Sequence, residues 1–597
     1  MVSILRERGG FSSGFMVCLG LLAATTLALE QGFSLGAELT DRLHFFQYGL
    51  SFLYVVHQGW MLWRASDRWE LLRRRKFEYA LLAGFVLLAL GLAWSDPVSA
   101  SVLRFLHGSA PADLVAPLVQ LFLLASVLLQ LVQLHHRLLV HGLRAEWVLV
   151  GSFAMLILAG TLLLLLPRAG AASNTTLSGI DALFTATSAV CVTGLSVCDP
   201  GTAFSPLGLT IILALIQAGG LGIMTFVAFL AVTSSESLPV AQLLAFKQIV
   251  NARSFAALKR QVWAIVGFTV VCEGAGALCL FYALPPTGDP FSRAGWSVFH
   301  SISAFCNAGF ALQSDSLIAH RTEAGILLPI MALIVLGGLG FLVVNDLLGL
   351  QVTRLPLLRR VPWLKRYHQR LPVYRLPLQT RLAVRVTVGL LIIGLAGFWV
   401  LEAGHLLRGL PWTTQAWLAT FQSVTARTAG FNTVPIEQLQ PATLLLLMAL
   451  MVVGASPVST GGGIKTVTLA VLLLALRAMI AGRDKVEIFG RTLPQRVLLA
   501  ALGVFVLYML AAATSVFALT LTDPALSLRA QSFEVVSALS TVGLSTGITP
   551  QLSIGGKLVL CATMFVGRLG PVALVLAVFR MGAGRRFEYP EEELVVG

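Results

Sequence analysis

The chain has 597 residues, of which 57% are hydrophobic and only 12% are charged, and its mean hydropathy is +0.84. A soluble domain of this size does not have such a composition, whereas a polytopic membrane protein does. The formal net charge of +14 is therefore attributed to basic cytoplasmic loops, and we expect membrane lipid rather than nucleic acid as the surrounding partner.

Residues 1–145 contain four apolar segments, near 14–32, 46–63, 79–95 and 115–134. Each is close to the roughly 20 residues that an α-helix needs to cross a bilayer. The linker after the second segment is basic (Arg64, Arg68, Arg73, Arg74, Arg75 and Lys76), which places it and the N-terminus in the cytoplasm. We interpret this block as an N-terminal transmembrane extension, and no motif in it indicates a role.

From about residue 146 a triplet of long span, short broken segment and long span repeats four times. The spans are predicted at 147–167 and 205–232, 262–284 and 325–350, 383–406 and 441–480, and 496–520 and 557–579. The repeats thus cover about 146–233, 261–350, 382–480 and 495–580, within one domain of 146–597. Repetition at this length indicates one membrane unit used four times, in an all-α membrane protein.

The four short segments share a pattern in which an initial Phe is followed by Ser, Ala and a glycine at the tenth or eleventh residue. They read FTATSAVCVTGLSV (184–197), FHSISAFCNAGFAL (299–312), FQSVTARTAGFNTV (421–434) and FEVVSALSTVGLST (533–546). They are too short to span, and their glycines free the backbone so that carbonyls can replace the water around a cation. Non-helical backbone at membrane depth must be buried or line a wet cavity. Four such segments therefore predict a single pore.

The loop charges give the orientation of the units. The linkers between repeats are basic, with eight Lys or Arg and no acid in 351–381, four in 233–261 and five in 477–496. The loops beside the short segments are less basic and contain Asp199, Asp289, Asp315 and Asp523. Because basic loops lie in the cytoplasm, we expect the short segments to enter from the outer face and the C-terminus to be cytoplasmic.

The span after the third short segment is interrupted by GASPVSTGGGIKT at 454–466. Proline and three consecutive glycines cannot continue a lipid-facing helix, so we expect this stretch to line the pore. It is not a phosphate-binding loop, because Lys465 follows Ile464 rather than Gly. A plain cytoplasmic turn between two short spans is the alternative. If the stretch 454–466 lines the pore, its flexible glycine backbone predicts that it acts as a gate. The residues of this predicted gate are Gly454, Ser456, Ser459, Thr460, Gly461, Gly462, Gly463 and Lys465.

Arg568 lies about halfway along the last predicted span. An ionisable residue inside a span is by default a functional residue, and its position argues against snorkelling to an interface. We expect its guanidinium to donate hydrogen bonds to carbonyls of the gate. Glu273, Asp346 and Glu402 also lie in or near spans, and we expect them at helix ends or at contacts between units.

The set TSAVCVTGLSV, SAFCNAGFAL, TARTAGFNTV and STVGLSTG, with GASPVSTGGGIKT and VGRLGP, resembles the Trk/Ktr/HKT superfamily of potassium transporters, and most closely the Ktr-type bacterial membrane subunit. The resemblance covers about 146–580 and leaves 1–145 outside it. It implies four membrane–pore–membrane units around a pseudo-fourfold axis and K+ uptake across the bacterial cell membrane. It also implies a homodimer and a cytosolic ring of nucleotide-binding regulatory subunits.

The resemblance further implies a selectivity filter at the four glycines, so we expect K+ to be bound by the three residues that end at each glycine. These are Val192, Thr193, Gly194, Asn307, Ala308, Gly309, Thr428, Ala429, Gly430, Thr541, Val542 and Gly543. Relatives with Ser at the first glycine can favour Na+, whereas this chain has Gly194. Cys191 and Cys306, beside the first two glycine segments, depart from the family pattern.

Other function classes fit the sequence less well. An organic-solute secondary transporter is built from inverted halves, whereas these four units share one orientation. A membrane-embedded enzyme would need a nucleophile with a base, or a set of metal ligands, inside the spans. No HExxH motif appears in the sequence, and this function would leave the four repeated segments unexplained. We therefore expect a non-enzyme without an organic cofactor. Na+- or H+-coupled cation symport on the same fold remains the alternative to simple K+ uptake.

Overall fold

The computed structural model describes residues 145–171, 177–222, 255–286, 289–354 and 376–570, most of 18–93, and single positions between 119 and 126. The regular secondary structure of these residues is helical apart from one antiparallel hairpin, Glu487–Ile488 with Arg491–Thr492. Four of the described helices are long and apolar enough to cross a membrane: Trp263–Ala283, Ala324–Leu348, Leu378–Glu402 and Gln495–Thr522. The protein is an all-α polytopic membrane protein.

Four units follow one another, each with a leading helix, a short helix and a trailing helix. The leading helices are Ala145–Leu164, Phe255–Ala283, Leu378–Glu402 and Gln495–Thr522. The short helices are Gly179–Cys191, Pro290–Cys306, Trp412–Thr425 and Leu528–Leu539. The trailing helices are Pro206–Gly220, Ala324–Arg354, Pro441–Val452 and Ile554–Leu569, and the third resumes as Thr466–Ile480. Single turns at Pro200–Ala203, Ile436–Gln438 and Thr549–Gln551 connect short and trailing helices.

Polar caps and prolines set where these helices start. Ser178, Asp289 and Ser527 accept hydrogen bonds from backbone N–H groups in the first turns of three short helices, which satisfies donors that have no partner within the helix. Pro206 and Pro441 begin two trailing helices, where the missing proline N–H is not needed. The sequence therefore fixes the outer ends of the units locally.

Packing between neighbouring units closes a ring. Each trailing helix packs against the short helix of the next unit, and the fourth trailing helix packs against the first short helix. An ion pair at this closure joins Lys557 Nζ to Asp181 Oδ1 at 2.7 Å. The Phe that begins each segment is buried in the packed interior: Phe184, Phe299, Phe421 and Phe533. This burial explains why the repeat starts with Phe.

The N-terminal block is helical at Ala37–Arg64, Arg68–Arg74 and Lys76–Ala93, as predicted for its second and third apolar segments. It contacts the first unit, where the backbone N of Arg168 donates to the carbonyl of Gly32 at 2.8 Å and the Arg168 guanidinium donates to the carbonyl of Glu30 at 3.2 Å. The predicted segments 14–32 and 115–134 lie partly or mostly outside the described residues.

Three predicted spans are broken where the sequence suggested continuity. In the second trailing helix Gly340 has φ 76° and ψ 157°, which is not helical. The first trailing helix ends at Gly220, with Gly222 at φ 70°. The fourth ends at Leu569, with Gly570 at φ 84°. Glycine alone adopts such angles without strain, so these positions end or kink the helices. The remainders of 205–232 and 557–579 lie outside the described residues.

The three acids predicted at helix ends or unit contacts are found there. Gln217 of the first unit donates to Glu273 of the second at 3.3 Å. Thr380 of the third unit donates to Asp346 of the second. Glu402 lies at the end of its helix, where it accepts a hydrogen bond from the backbone N of Gln440 at 3.0 Å.

Candidate functional site

Each short helix runs into a non-helical strand that carries one of the four repeated glycines. These glycines have φ of 91°, 69°, 78° and 95° at Gly194, Gly309, Gly430 and Gly543. Two residues earlier the backbone is also left-handed, with φ of 56°, 60°, 68° and 51° at Val192, Asn307, Thr428 and Thr541. That conformation costs an L-residue about 1–2 kcal/mol, and strain of this kind clusters at functional sites. All four strands repeat it.

The four glycines form a closed ring, which we call the glycine ring. A Cβ added to Gly194 would lie 2.4 Å from the carbonyl oxygen of Ala308 in the next unit. The same contact recurs from Gly309 to Ala429 O (2.7 Å), from Gly430 to Val542 O (2.4 Å) and from Gly543 back to Thr193 O (2.1 Å). Each glycine therefore lets a carbonyl of the next unit approach its own Cα closely. Ordinary side chains would fill this space.

Hydroxyl side chains of the short helices hold these strands. Ser188 accepts a hydrogen bond from Gly194 N at 3.1 Å, and Ser537 accepts one from Gly543 N at 3.0 Å. In the second and third units Ser303 donates to Phe310 O at 2.8 Å and Thr425 donates to Phe431 O at 2.7 Å. The Ser or Thr of each repeated segment thus fixes the backbone next to its glycine. The short helices also aim their C-terminal ends at the ring, and the dipole there favours a cation.

The interruption of the third unit forms a loop at residues 453–465, which we call the central loop. Gly462 N donates to Thr541 Oγ1 at 3.1 Å, and a Cβ on Gly461 would lie 2.1 Å from Thr428 Oγ1. Both threonines lie two residues before a ring glycine. Ser456 in the loop is fully buried. The central loop therefore lies beside the ring within the protein, and the alternative of a plain cytoplasmic turn is wrong.

The break in the second trailing helix provides acceptors for the central loop. A kink at Gly340 leaves carbonyls upstream of it without their helical partners. Gly338 O accepts a hydrogen bond from Ser456 N at 2.9 Å, and Gly337 O accepts one from Thr460 N at 3.3 Å. Thr460 Oγ1 also donates to Phe305 O at 3.3 Å. The loop is thus bound to the second unit by backbone groups that a continuous helix would have occupied.

Three basic side chains converge on carbonyl oxygens of the central loop. The Arg568 guanidinium donates to Thr460 O and also to Gly219 O of the first unit. Lys465 Nζ donates to Gly461 O at 2.6 Å. Arg427 Nη2 donates to Gly454 O at 3.0 Å. Sequence reasoning missed Arg427, although a basic residue within a short segment that is otherwise apolar and hydroxylic was a visible signal.

Cavities lie on both sides of these elements. One cavity of about 240 Å³, which we call the outer vestibule after the orientation predicted from the loop charges, is lined by all four ring glycines, Asp199 and Ser545, among others. A second cavity of about 290 Å³ is lined by the central loop with Lys465 and Arg568. Among the described residues no group of three or more His, Cys, Asp or Glu side chains could hold a metal ion. Backbone carbonyls lie close to all four ring glycines beside the first of these cavities.

The thiols of Cys191 and Cys306 are buried, at 0% and 1% exposure. Both precede their ring glycine by three residues, the position that Arg427 and Ser540 occupy in the other two units. Cys198, in the loop beyond the first glycine, is partly exposed, and burial raises the pKa of its thiol to about 11, with Asp181 adding to the rise. None of the three thiols points to metal or redox chemistry at the ring.

Comparisons with known proteins agree with this arrangement. Residues 121–589 match the family described as cation transport protein. The chain is 36% identical over 455 residues to the potassium/sodium uptake protein NtpJ of Enterococcus hirae, covering 75% of this chain and 96% of that protein. It is also 36% identical over 452 residues to the Ktr system potassium uptake protein B of Vibrio alginolyticus, covering 75% and 93%.

A solved structure shares the fold. The potassium transporter TrkH from Vibrio parahaemolyticus superposes with a TM-score of 0.58 at 20% identity, over 84% of this chain and 98% of that one. At this identity the likeness shows the fold alone.

Proposed function

Since this chain belongs to the TrkH family of cation transport proteins, we propose that it takes up potassium ions across the cell membrane through the glycine ring. The observation that carries this is the closed ring, in which each glycine lies close to a backbone carbonyl of the next unit. Carbonyl oxygens arranged in this way replace the hydration shell of K+. The family is one of transporters, and we propose no enzymatic activity for the chain.

Ion flux into liposomes that contain the purified protein tests this function directly. Under equal imposed gradients, K+ should enter faster than Na+. Equal or faster Na+ flux would contradict K+ selectivity, and no cation flux at all would contradict transport. One relative is named a potassium/sodium uptake protein, so Na+ is the second ion to examine, both as a competitor and as a coupling ion. Repeating K+ uptake with and without a Na+ or pH gradient separates simple uptake from coupled symport.

We propose further that the central loop is the gate. It contacts Thr428 and Thr541 next to the glycine ring, and Arg568 donates hydrogen bonds both to the loop and to the first unit. Consecutive glycines give the loop low-cost alternative conformations, while guanidinium–carbonyl bonds, each worth about 1–3 kcal/mol, stabilise the conformation described here. The closed state thus depends on a few polar contacts.

Removing Gly461–Gly463 tests the gate. The shortened loop cannot reach beneath the ring, so the K+ transport rate should rise while the K+/Na+ ratio stays nearly constant. A matched control removes three exposed residues, Gly482–Asp484, from the linker after the third unit and should change neither quantity. An unchanged rate, or a lost ratio with no gain in rate, would rule out the loop as the gate.

We propose that the protein forms a homodimer with cytoplasmic termini and binds a cytosolic ring of nucleotide-binding subunits. The support is the basic composition of 351–381, of which 355–375 lie outside the described residues, as does the C-terminal stretch 571–597. Reversing the charges of Arg359, Arg360, Lys365 and Arg366 should weaken co-purification with an acidic partner of this kind. Binding that survives all four changes would leave the basic loop with a role in topology alone.

A further inference from the structure

A buried polar residue follows the buried Phe in every short helix, and neither the proposed filter nor the proposed gate uses it. These residues are Thr185, His300, Gln422 and Glu534, at 1%, 0%, 0% and 0% exposure. A polar side chain inside a membrane protein is costly unless it is paired. Four buried polar side chains at the same position of a repeated unit indicate a shared structural role.

In the second and third units this residue reaches the strand three residues beyond the ring glycine. His300 Nε2 accepts a hydrogen bond from Leu312 N at 3.4 Å, while its Nδ1 contacts Trp296 O at 2.9 Å. Gln422 Nε2 donates to Thr433 Oγ1 at 3.4 Å. Both contacts are long and formed by neutral groups, so they are weak. In the first unit Thr185 lies beside the thiol of Cys198.

Glu534 makes the same connection in the fourth unit with more and shorter bonds. Its Oε1 accepts from the backbone N of Thr546 at 3.1 Å and from the hydroxyl of Ser545, and its Oε2 accepts from Thr549 Oγ1 at 3.1 Å. Ser545 lines the outer vestibule and follows Gly543 by two residues. The carboxylate therefore ties the strand just outside the glycine ring to the interior of the short helix.

We propose that Glu534 is a positioning residue for ion selectivity: its carboxylate holds the outer strand of the fourth unit so that the carbonyls around Gly543 keep the spacing that suits K+. His300 and Gln422 provide weaker versions of the same support. Glu534 makes three hydrogen bonds to the outer strand and to the turn that follows it, whereas His300 and Gln422 each make one long contact to theirs, so the fourth strand is the most firmly held. This inference rests on the proposed K+ selectivity of the glycine ring.

Glu534→Gln tests the proposal because it keeps the shape but replaces one acceptor oxygen with an NH2 group. The matched control is Glu402→Gln. Glu402 is equally buried and accepts hydrogen bonds from Gln440 N and Thr443 Oγ1, but it lies at the end of the third leading helix and contacts no ring strand. In liposome flux assays Glu534→Gln should lower the K+/Na+ ratio at least threefold. Glu402→Gln should leave the ratio unchanged.

A second measurement asks whether Glu534 acts through the strand. Ser545→Ala should lower the ratio by itself and add little in combination with Glu534→Gln, since coupled residues are not additive. If Glu534→Gln is not recovered folded, Ser545→Ala and Thr549→Val carry the test, and an unchanged ratio in both overturns the proposal.

The proposal is also overturned if folded Glu534→Gln keeps the wild-type K+/Na+ ratio, or if Glu402→Gln lowers this ratio as much as Glu534→Gln does. Wild-type protein without a K+ preference would instead refute the proposed function, so the two failures are distinguishable.

Discussion

Replacing Gly194 with Ser should reduce K+ preference because no space exists for a side chain at the glycine ring. The added Cβ would lie 2.4 Å from the carbonyl oxygen of Ala308 and 3.1 Å from the Cα of Gly309. Normal contacts are about 3.5 Å, so the Ala308 carbonyl must move by about 1 Å. That carbonyl belongs to the second unit, so a change in one unit alters the oxygen cage of its neighbour.

The expected size of the effect follows from strain at this position. An L-residue at the φ of 91° found for Gly194 carries roughly 1–3 kcal/mol of backbone strain, in addition to the steric contact. The strand relieves this strain by displacing the carbonyl that should contact K+. If about 1.4 kcal/mol of K+ preference is lost in this way, the K+/Na+ ratio falls about tenfold.

Comparing K+ and Na+ uptake in cells that lack their own K+ uptake systems measures this ratio. Gly409→Ser is the matched control, because Gly409 also has a positive φ, of 79°, but no atom lies within 4 Å of its added Cβ. It should lower stability without changing the ratio. A Gly194→Ser protein that is expressed and transports with the wild-type ratio would remove Gly194 from the filter and refute the reasoning.

Three further outcomes follow from the described contacts. Arg568→Gln should raise the transport rate severalfold at an unchanged K+/Na+ ratio in reconstituted protein, because it removes the bond to the central loop; a changed ratio with a constant rate would contradict this. Lys557→Met should lower the thermal unfolding temperature through loss of about 1 kcal/mol from the part-buried ion pair with Asp181, and Asp181→Asn in the same protein should add little. A membrane-impermeant maleimide should not label the buried Cys191 or Cys306 before denaturation, as judged by mass spectrometry. Labelling of either of these two residues in the native protein would show that the strands open.

The glycine segments were predictable because their signal is local and repeated, and the central loop because a proline and three consecutive glycines interrupt an apolar span. Phe at the start and a glycine nine or ten residues later recur in the sequence. Both have direct structural causes, because the Phe side chains are buried and the glycines have positive φ. The breaks at Gly222, Gly340 and Gly570 were missed for the opposite reason. Each glycine lies in a long apolar run, and glycine is common in continuous transmembrane helices. At Gly340 the kink is associated with close packing against Val458 and Ser459 of the central loop. Such a contact is visible only in the structure, so the sequence could not distinguish this glycine from one within a continuous helix.

The trailing helices show where the fourfold pattern is kept and where it is lost. The fourteenth position counted from the first residue of each trailing helix is a glycine: Gly219, Gly337, Gly454 and Gly567. Gly454 lies two residues beyond the end of its helix, in the central loop. In the first, second and fourth units a Cβ there would lie about 2 Å from a carbonyl of the short helix, so close packing requires glycine. The pattern is lost at the next residue, where Gly220, Gly338 and Ala455 are small and Arg568 is not.

The two departures from symmetry belong together. The third unit has the central loop at a position where the other three trailing helices are still helical, and the fourth unit replaces a small residue with the arginine that binds the loop. Both lie in the layer next to the glycine ring, while the ring keeps the same backbone angles in all four units. Four similar strands can surround a spherical ion with oxygen atoms, whereas a single loop is enough to block a single pore. We therefore propose that selectivity and gating belong to adjacent layers, and we expect loop variants to change the transport rate and ring variants to change the K+/Na+ ratio.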